Sequence, residues 1–283
     1  MAKIISIPPP AAQAGGLSNS LVAGLVGDRV VDAFLVADNN LITGQLLRDL
    51  IGPAFDEHRS LQTMNAVVAS STAMNAVAAS ATAMNAVAAS ATARTAVRNS
   101  SVAMTAVGAV NMAIGKFAAG EAGLDPTAWA DMNAVAASAT AMNAVAASAT
   151  AMNAVAASAT ANTAIFASAT ARIAVYDSTV AWDALRLNAT AQTHMISIGL
   201  LHNASWEGGA PWTYPPTVTS TTRVVVVRFR SAAEGHLAQS RDFAQTVFFN
   251  TTSSTLQNVF LRMTGAQHRS ATSSAEMRYI IMQ

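Results

Sequence analysis

The residues that could do chemistry in this chain are few and scattered. Five histidines, His58, His194, His202, His236 and His268, are spread along the sequence. No pair of them has the i, i+4 spacing that lets two imidazoles on one helix face hold zinc, or an adjacent carboxylate motif. Cysteine is absent, so disulfides and thiolate metal sites are excluded. Serine, histidine and aspartate all occur, but there is no GxSxG nucleophile elbow, no P-loop and no GxGxxG turn. Gly208 and Gly209 do not lead from a strand into a helix, as a phosphate cradle requires. The sequence therefore names no catalytic residue, no metal ligand and no cofactor-binding residue, and the expectation is a protein that is not an enzyme.

Two groups remain. The segment ASWEGGAPWTYPP brings Trp206, Trp212 and Tyr214 together beside Glu207, ahead of Pro215 and Pro216. Flat aromatic faces next to a carboxylate can stack on sugar rings, so Trp206, Glu207, Trp212 and Tyr214 are candidate glycan or partner contacts. Their alternative role is to plug a junction between two structural regions. Arg223, Arg228 and Arg230 lie close together, but nucleic-acid binding calls for a broader patch with lysines and interleaved aromatics. They are expected at the surface or between subunits.

Whatever positions these residues is built from an unusual composition. Charged residues make up 11% of the 283-residue chain, and the formal net charge is +1. No large field exists to recruit nucleic acid or acidic lipid. Residues 132–171 contain no Asp, Glu, Lys or Arg. No stretch of 18 apolar residues is free of Asn and Ser, so membrane insertion is not expected. The opening MAKIISIPPPAA is broken by three prolines and does not resemble a secretory signal, which points to synthesis in a cytoplasm.

The dominant feature is a ten-residue word. MNAVAASATA begins at Met74, Met84, Met132, Met142 and Met152, and degenerate copies extend both blocks. Self-similarity at a fixed period marks a repetitive architecture. Alanine is the best helix former and a poor strand former, so the decads are expected to be helical rather than a β-solenoid. With Met as position one, position four is always large and apolar, position ten is Ala, and position seven is mostly Ser. Steps of 3, 3 and 4 join these into one stripe, the expected buried seam. Positions one and five drift to Arg94 and Arg98, Arg172 and Tyr176, Trp182 and Arg186, and are expected to form a wet flank. A continuous helix with this period, about 3.3 residues per turn, would supercoil to the left.

Three regions follow: a head at 1–60 containing the helix-like NNLITGQLLRDLIG, the repeats at 61–192 with a break at 118–131, and a region at 193–283. Gly120, Gly123 and Asp125-Pro126 carry helix-ending and helix-starting signals at the break. Helices of about 58 and 65 residues would flank it, roughly 90 and 100 Å long. An antiparallel hairpin and a kinked rod are both compatible with this. In the last region THMISIGLLHN, TTRVVVVRFRS, QTVFFNTT, LQNVFLRMTG and EMRYIIMQ have strand composition. The expected fold class is α+β: a long Ala-rich helical stalk, bundled in a homotrimer, followed by a small C-terminal β-sandwich-like domain. Val224 to Val227 should be buried, partly by other subunits.

The tract AMNAVAASATAMNAVAASATA resembles the Ala-rich decad repeats of fibre-like virion proteins of tailed bacteriophages. The likeness covers 61–192 and, loosely, the order of head, shaft and β-rich end. It implies a structural virion component (collar, whisker, decoration or tail fibre), homotrimeric, acting with other virion proteins in assembly or host attachment. Its location would be the virion. A carbohydrate-binding adhesin that grips a host surface glycan through Trp206, Trp212 and Tyr214 is the competing expectation.

Overall fold

The computed structural model describes residues 64–206, 215, 217–219, 221–231, 235–239, 247–251, 255–270 and 275–283; the expected head at 1–60 lies outside them. The chain divides into two compact units, Met1–Ala106 and Val107–Gln283. The described residues form thirteen α-helices and seven strands, a mixed helix-and-sheet protein.

The decads are helical, but not as two long rods. In the first block α1 is Met64–Ala69, α2 Ser71–Ala79, α3 Ala81–Ala89, α4 Ala91–Arg98 and α5 Ser101–Ala109. In the second, α6 is Asn111–Glu121, α7 Met132–Ala137, α8 Ala139–Ala147, α9 Ala149–Ala157, α10 Ala159–Ala167, α11 Ala169–Asp177, α12 Thr179–Leu187 and α13 Ala189–Ser197. The expected continuous helices, their hairpin and their supercoil are corrected by one residue per decad. The position-seven serine adopts an extended conformation, as at Ser148 with φ −95° and ψ 113°. Ten is thus the length of a helix plus its joint, not the drift of an unbroken helix.

Serine breaks the helix because it satisfies the groups the break exposes. A helix end leaves four backbone donors or acceptors without intrahelical partners. The Ser148 N–H donates to the Val145 carbonyl at 3.1 Å and closes α8, while its carbonyl accepts from the Met152 N–H at 2.9 Å and opens α9. Its hydroxyl oxygen accepts from the Ala151 N–H at 3.3 Å, an N-cap bond. The same hydroxyl donates to the Glu121 carbonyl at 3.0 Å, in the layer below. Ser168 and Ser178 repeat the pattern, donating to the carbonyls of Ala136 and Ala146, 32 residues earlier, at 2.6 and 2.5 Å. In the first unit Ser100 donates to Val68 across the same 32-residue interval at 2.6 Å.

That interval defines the architecture. Each helix packs on the one three places later: α6 on α9, α7 on α10, α8 on α11, α9 on α12 and α10 on α13, and within the first unit α1 on α4. Three short helices make one coil of about thirty residues, and coils stack. This is a helical solenoid, in which each layer touches its neighbours only.

The interior of the coil corrects the expected seam. Positions four and ten are buried as the pattern implies, for example Val145 and Ala141. Many residues at positions one and five are buried too: Met74, Met84, Met142, Ala78 and Ala156 are all 0% exposed. Of the residues expected on the wet flank, Arg98 is exposed and Arg94, Arg172 and Arg186 are half-buried, whereas Tyr176 and Trp182 are buried. The drift at position one has another cause. Arg94 donates to the Ala88 carbonyl at 2.6 Å, Asn162 to Ala156 at 3.0 Å, Arg172 to Phe166 at 2.6 Å and Gln192 to Arg186 at 2.6 Å. Each reaches back six residues to a carbonyl orphaned at the preceding helix end. A polar head is tolerated inside because it always meets that acceptor.

The break between blocks is a change of phase. α6 ends with Gly123 at φ 74°, and the Leu124 N–H bonds to the Ala119 carbonyl at 2.9 Å, a left-handed C-terminal cap. Asp125 caps a short 3-10 turn, Pro126–Ala128, with proline at its first position, and Asp131 caps α7. Gly120 lies inside α6 and does not end it. Lys116, 5% exposed, donates to the Pro126 and Trp129 carbonyls at 3.1 and 3.0 Å and ties the loop to the helix. Burial lowers its pKa, and nearby Asp125 opposes that shift. A Cβ on Gly115 would sit 2.3 Å from the Asp131 carbonyl carbon and the Met132 nitrogen, so this crossing needs glycine.

The strands are β1 His202–Trp206, β2 Arg223–Ser231, β3 Gly235–Gln239, β4 Val247–Thr251, β5 Gln257–Thr264, β6 Ala266–Ser270 and β7 Ala275–Ile281. They form an antiparallel four-stranded sheet, β1-β7-β2-β5, and a three-stranded one, β4-β3-β6. The expected strand at THMISIGLLHN is half wrong: its first residues finish α13, which Asn188 caps through the Thr190 and Ala191 N–H groups. Val224, Val225, Val226 and Val227 are each 0% exposed within a single chain. Pairing shifts register at Val227, so Val224, Val226 and Phe229 join Met277 and Tyr279 in one core cluster.

Candidate functional site

The backbone of Trp206 ends β1 opposite Ala275. The Trp206 side chain, Glu207, Trp212 and Tyr214 lie outside the described residues. What is described is how both flanks of that segment are held. The Val218 N–H donates to the Pro215 carbonyl at 2.9 Å, and the Thr217 and Tyr279 hydroxyls are 2.7 Å apart. The His202 ring stacks on Tyr279 at 5.3 Å. A segment anchored at both ends on a sheet is where binding groups are commonly carried.

The best-developed polar cluster is one the sequence pattern did not isolate. It joins the last coil to the four-stranded sheet. The Tyr176 hydroxyl lies 2.9 Å from that of Thr264. Arg262 donates to the Tyr176 carbonyl, and to the Thr179 hydroxyl at 3.3 Å. Arg223 pairs with Asp177 at 3.1 Å, and both Arg223 and Arg262 stand over the Tyr176 ring, at 5.8 and 5.6 Å from its centre. Arg172 donates to the Gln283 carbonyl at 2.9 Å. Burial raises the Tyr176 pKa against the pull of Thr264 and the two arginines, and burial lowers that of Arg172. This arrangement anchors and has no free nucleophile or base. It seals the open end of a solenoid, which otherwise exposes apolar surface. The sequence signal is Tyr176 at position five, where the repeated word MNAVAASATA carries alanine.

The three β2 arginines part company. Arg223 goes to the coil, the Arg228 guanidinium donates to the Leu256 carbonyl at 3.3 Å, and Arg230 pairs with Glu276 at 2.9 Å. Burial pushes the Glu276 carboxyl up, but bonds from Arg278 and Arg230 outweigh it and hold its pKa below the ordinary value. Among the described residues no three His, Cys, Asp or Glu side chains gather as a metal site. The His194 ring lies tilted against Phe166, centres 5.7 Å apart, and burial lowers its pKa. Among the described residues no single helix is long and apolar enough to cross a membrane. No family model matches the chain, and no curated protein matches it.

Proposed function

We propose that the protein is a non-catalytic, fibre-like structural component of a tailed-bacteriophage virion, in which the coiled decads act as a spacer and the β-region as an assembly or recognition unit. One observation supports this most. The position-seven hydroxyls of the repeat, and the polar heads where position one departs from Met, are engaged in joints between helices and between coils, while position-two Asn and position-nine Thr face outward, as at Asn143 and Thr150. Such a tract supplies length and surface rather than reactivity. The resemblance of the decads to phage fibre repeats supplies the biological setting. Immunogold electron microscopy of virions from a phage encoding the chain is expected to label a collar, whisker, decoration or tail fibre. Unlabelled particles would overturn the reading.

The homotrimer expected from the sequence rested on alanine burying too little surface alone. In the described coils the large apolar residues of position four and the alanines of position ten are buried within one chain, while alanines of positions six and eight, such as Ala147 and Ala149, are exposed. Self-association remains part of the proposal, and it would use the outer face. A second reading, a glycan-binding adhesin, is favoured by the anchoring of the 207–214 segment at Trp206 and Pro215. A glycan array separates the two: binding lost in Trp212→Ala selects the adhesin.

A further inference from the structure

The position-five carbonyl of each decad lies in the last turn of its helix, where intrahelical donors run out. Two kinds of side chain reach it. One is a position-seven serine from a later coil: Ser100, Ser158, Ser168 and Ser178 donate to Val68, Gly108, Ala136 and Ala146. The other is the position-one head six residues on: Arg94, Asn162, Arg172 and Gln192 donate to Ala88, Ala156, Phe166 and Arg186. None of these carbonyls takes both. Where the serine arrives, the residue six on is apolar and 0% exposed: Met74, Ile114, Met142 and Met152. Where the head is used, no serine stands 32 residues on: Asn188 follows Ala156 at that interval, and Ile198 follows Phe166. Both sit at joints in the extended conformation, so the joint is kept and only the hydroxyl is missing. Ala78, with Met84 six residues on, has neither donor among the described residues.

We propose that position one and the joint of the next layer form one compensating pair, and that this pair is the device that closes the stack of coils. A buried carbonyl without a donor is costly, and so is a buried polar head without an acceptor. A decad roofed by a serine therefore keeps an apolar position one, and a decad without that roof carries its own donor. The interval in sequence is immaterial: Ser158 reaches Gly108 from 50 residues on, across the break, and Ile114 is apolar there as the pairing requires. At the far end the unroofed carbonyls come in succession, at Ala156, Phe166, Tyr176 and Arg186. Position one after Tyr176 is Trp182, and Arg262 of β5 supplies the donor in its stead. The sheet thus stands in for the next coil at that corner, and each of the four carbonyls has a donor. The pairing holds whatever role the protein has in a virion.

Urea unfolding of the full chain, followed by circular dichroism, tests the pairing in both directions. Ser168→Ala removes the donor to Ala136, and Met142→Gln places an amide six residues after that carbonyl. Each alone should lower the unfolding midpoint. Together, the glutamine should recover about half or more of the serine's loss, a change of sign that independent sites do not show. Met142→Gln should not rescue Ser178→Ala, whose acceptor is Ala146. In the converse arm Asn162→Met should lower the midpoint, and adding Asn188→Ser should recover it, since serine also caps a helix. Additive losses in either arm, or equal rescue of Ser178→Ala, would overturn the proposal. Should Ser168→Ala fail to fold, return of a cooperative transition on adding Met142→Gln supports the pairing, and no return overturns it.

Discussion

Away from the break at 118–131, a residue's neighbours in the helical coils sit at a fixed offset, and in the sheets they do not. Ser168 and Ser178 each meet a carbonyl 32 residues back. Tyr279, by contrast, lies between His202 and Val226, partners that no periodicity connects. Stability in the coils should therefore be close to a sum of nearest-layer terms. The four-stranded sheet should behave as one cooperative unit, because β7 holds β1 and β2 together. The difference teaches where damage stays local and where it spreads.

The sharpest way to break that contrast is to delete residues 277–283. Met277, Tyr279, Ile280 and Met282 are buried, so the sheet should collapse and soluble protein be lost while the helical circular dichroism signal persists. A soluble truncated chain with its sheet intact would show that β7 is not the keystone. Next in size is Gly115→Val. Its side chain meets backbone on α7, and melting should show a loss of about 3 kcal/mol. Gly123→Ala, at positive φ but in open space, should cost only about 1 kcal/mol.

Ser178→Ala should cost about 2 kcal/mol, from a lost N-cap and an orphaned Ala146 carbonyl. Hydrogen exchange should rise in α8, α11 and α12 and leave α6 protected; exchange rising throughout would mean the coils are not independent. Position one gives a finer test. Met84→Ala should cost about 2–3 kcal/mol as a cavity. Met84→Gln should cost less, since its amide can reach the Ala78 carbonyl as Gln192 reaches Arg186. Equal losses would remove that account of the drift.

The smallest effect is pH-dependent. Folding lowers the His194 pKa below its ordinary 6.5, so the folded state favours the neutral ring. Its contribution is complete above about pH 6.5 and declines as pH falls toward the depressed folded value. Melting temperature should therefore drop slightly on acidification, and His194→Phe should flatten that slope.

Helical decads, the phase change, β2, β4, β5 and β7 were legible from composition and spacing. The joints were not. Position-seven serine reads as a small seam residue because periodicity counts size and not hydrogen bonds. Yet a serine followed by Ala-Thr-Ala is also an N-cap signal, repeated at Ser80, Ser90, Ser138, Ser148, Ser158 and Ser168. Positions one and five looked wet because arginine and tyrosine occur there. Periodicity does not show that Arg94 and Arg172 find carbonyls, or that Tyr176 faces a sheet. β3 and β6 were missed because Gly, Ala, Gln and Ser dilute their strand signal. The candidate aromatics Trp206, Trp212 and Tyr214 were found by composition, while the anchoring of their flanks by Tyr279 came only from the fold.

A three-helix coil sets a rule for how the gene can change. Tandem repeats can gain and lose copies, and here the repeated unit is one decad. Slipping three units within 132–157 adds a full layer and leaves the compass bearing of α12 as it was. Slipping one turns that helix by a third of a circle relative to everything before it. Length can drift freely in threes, whereas any other step also re-aims whatever the distal end is meant to meet.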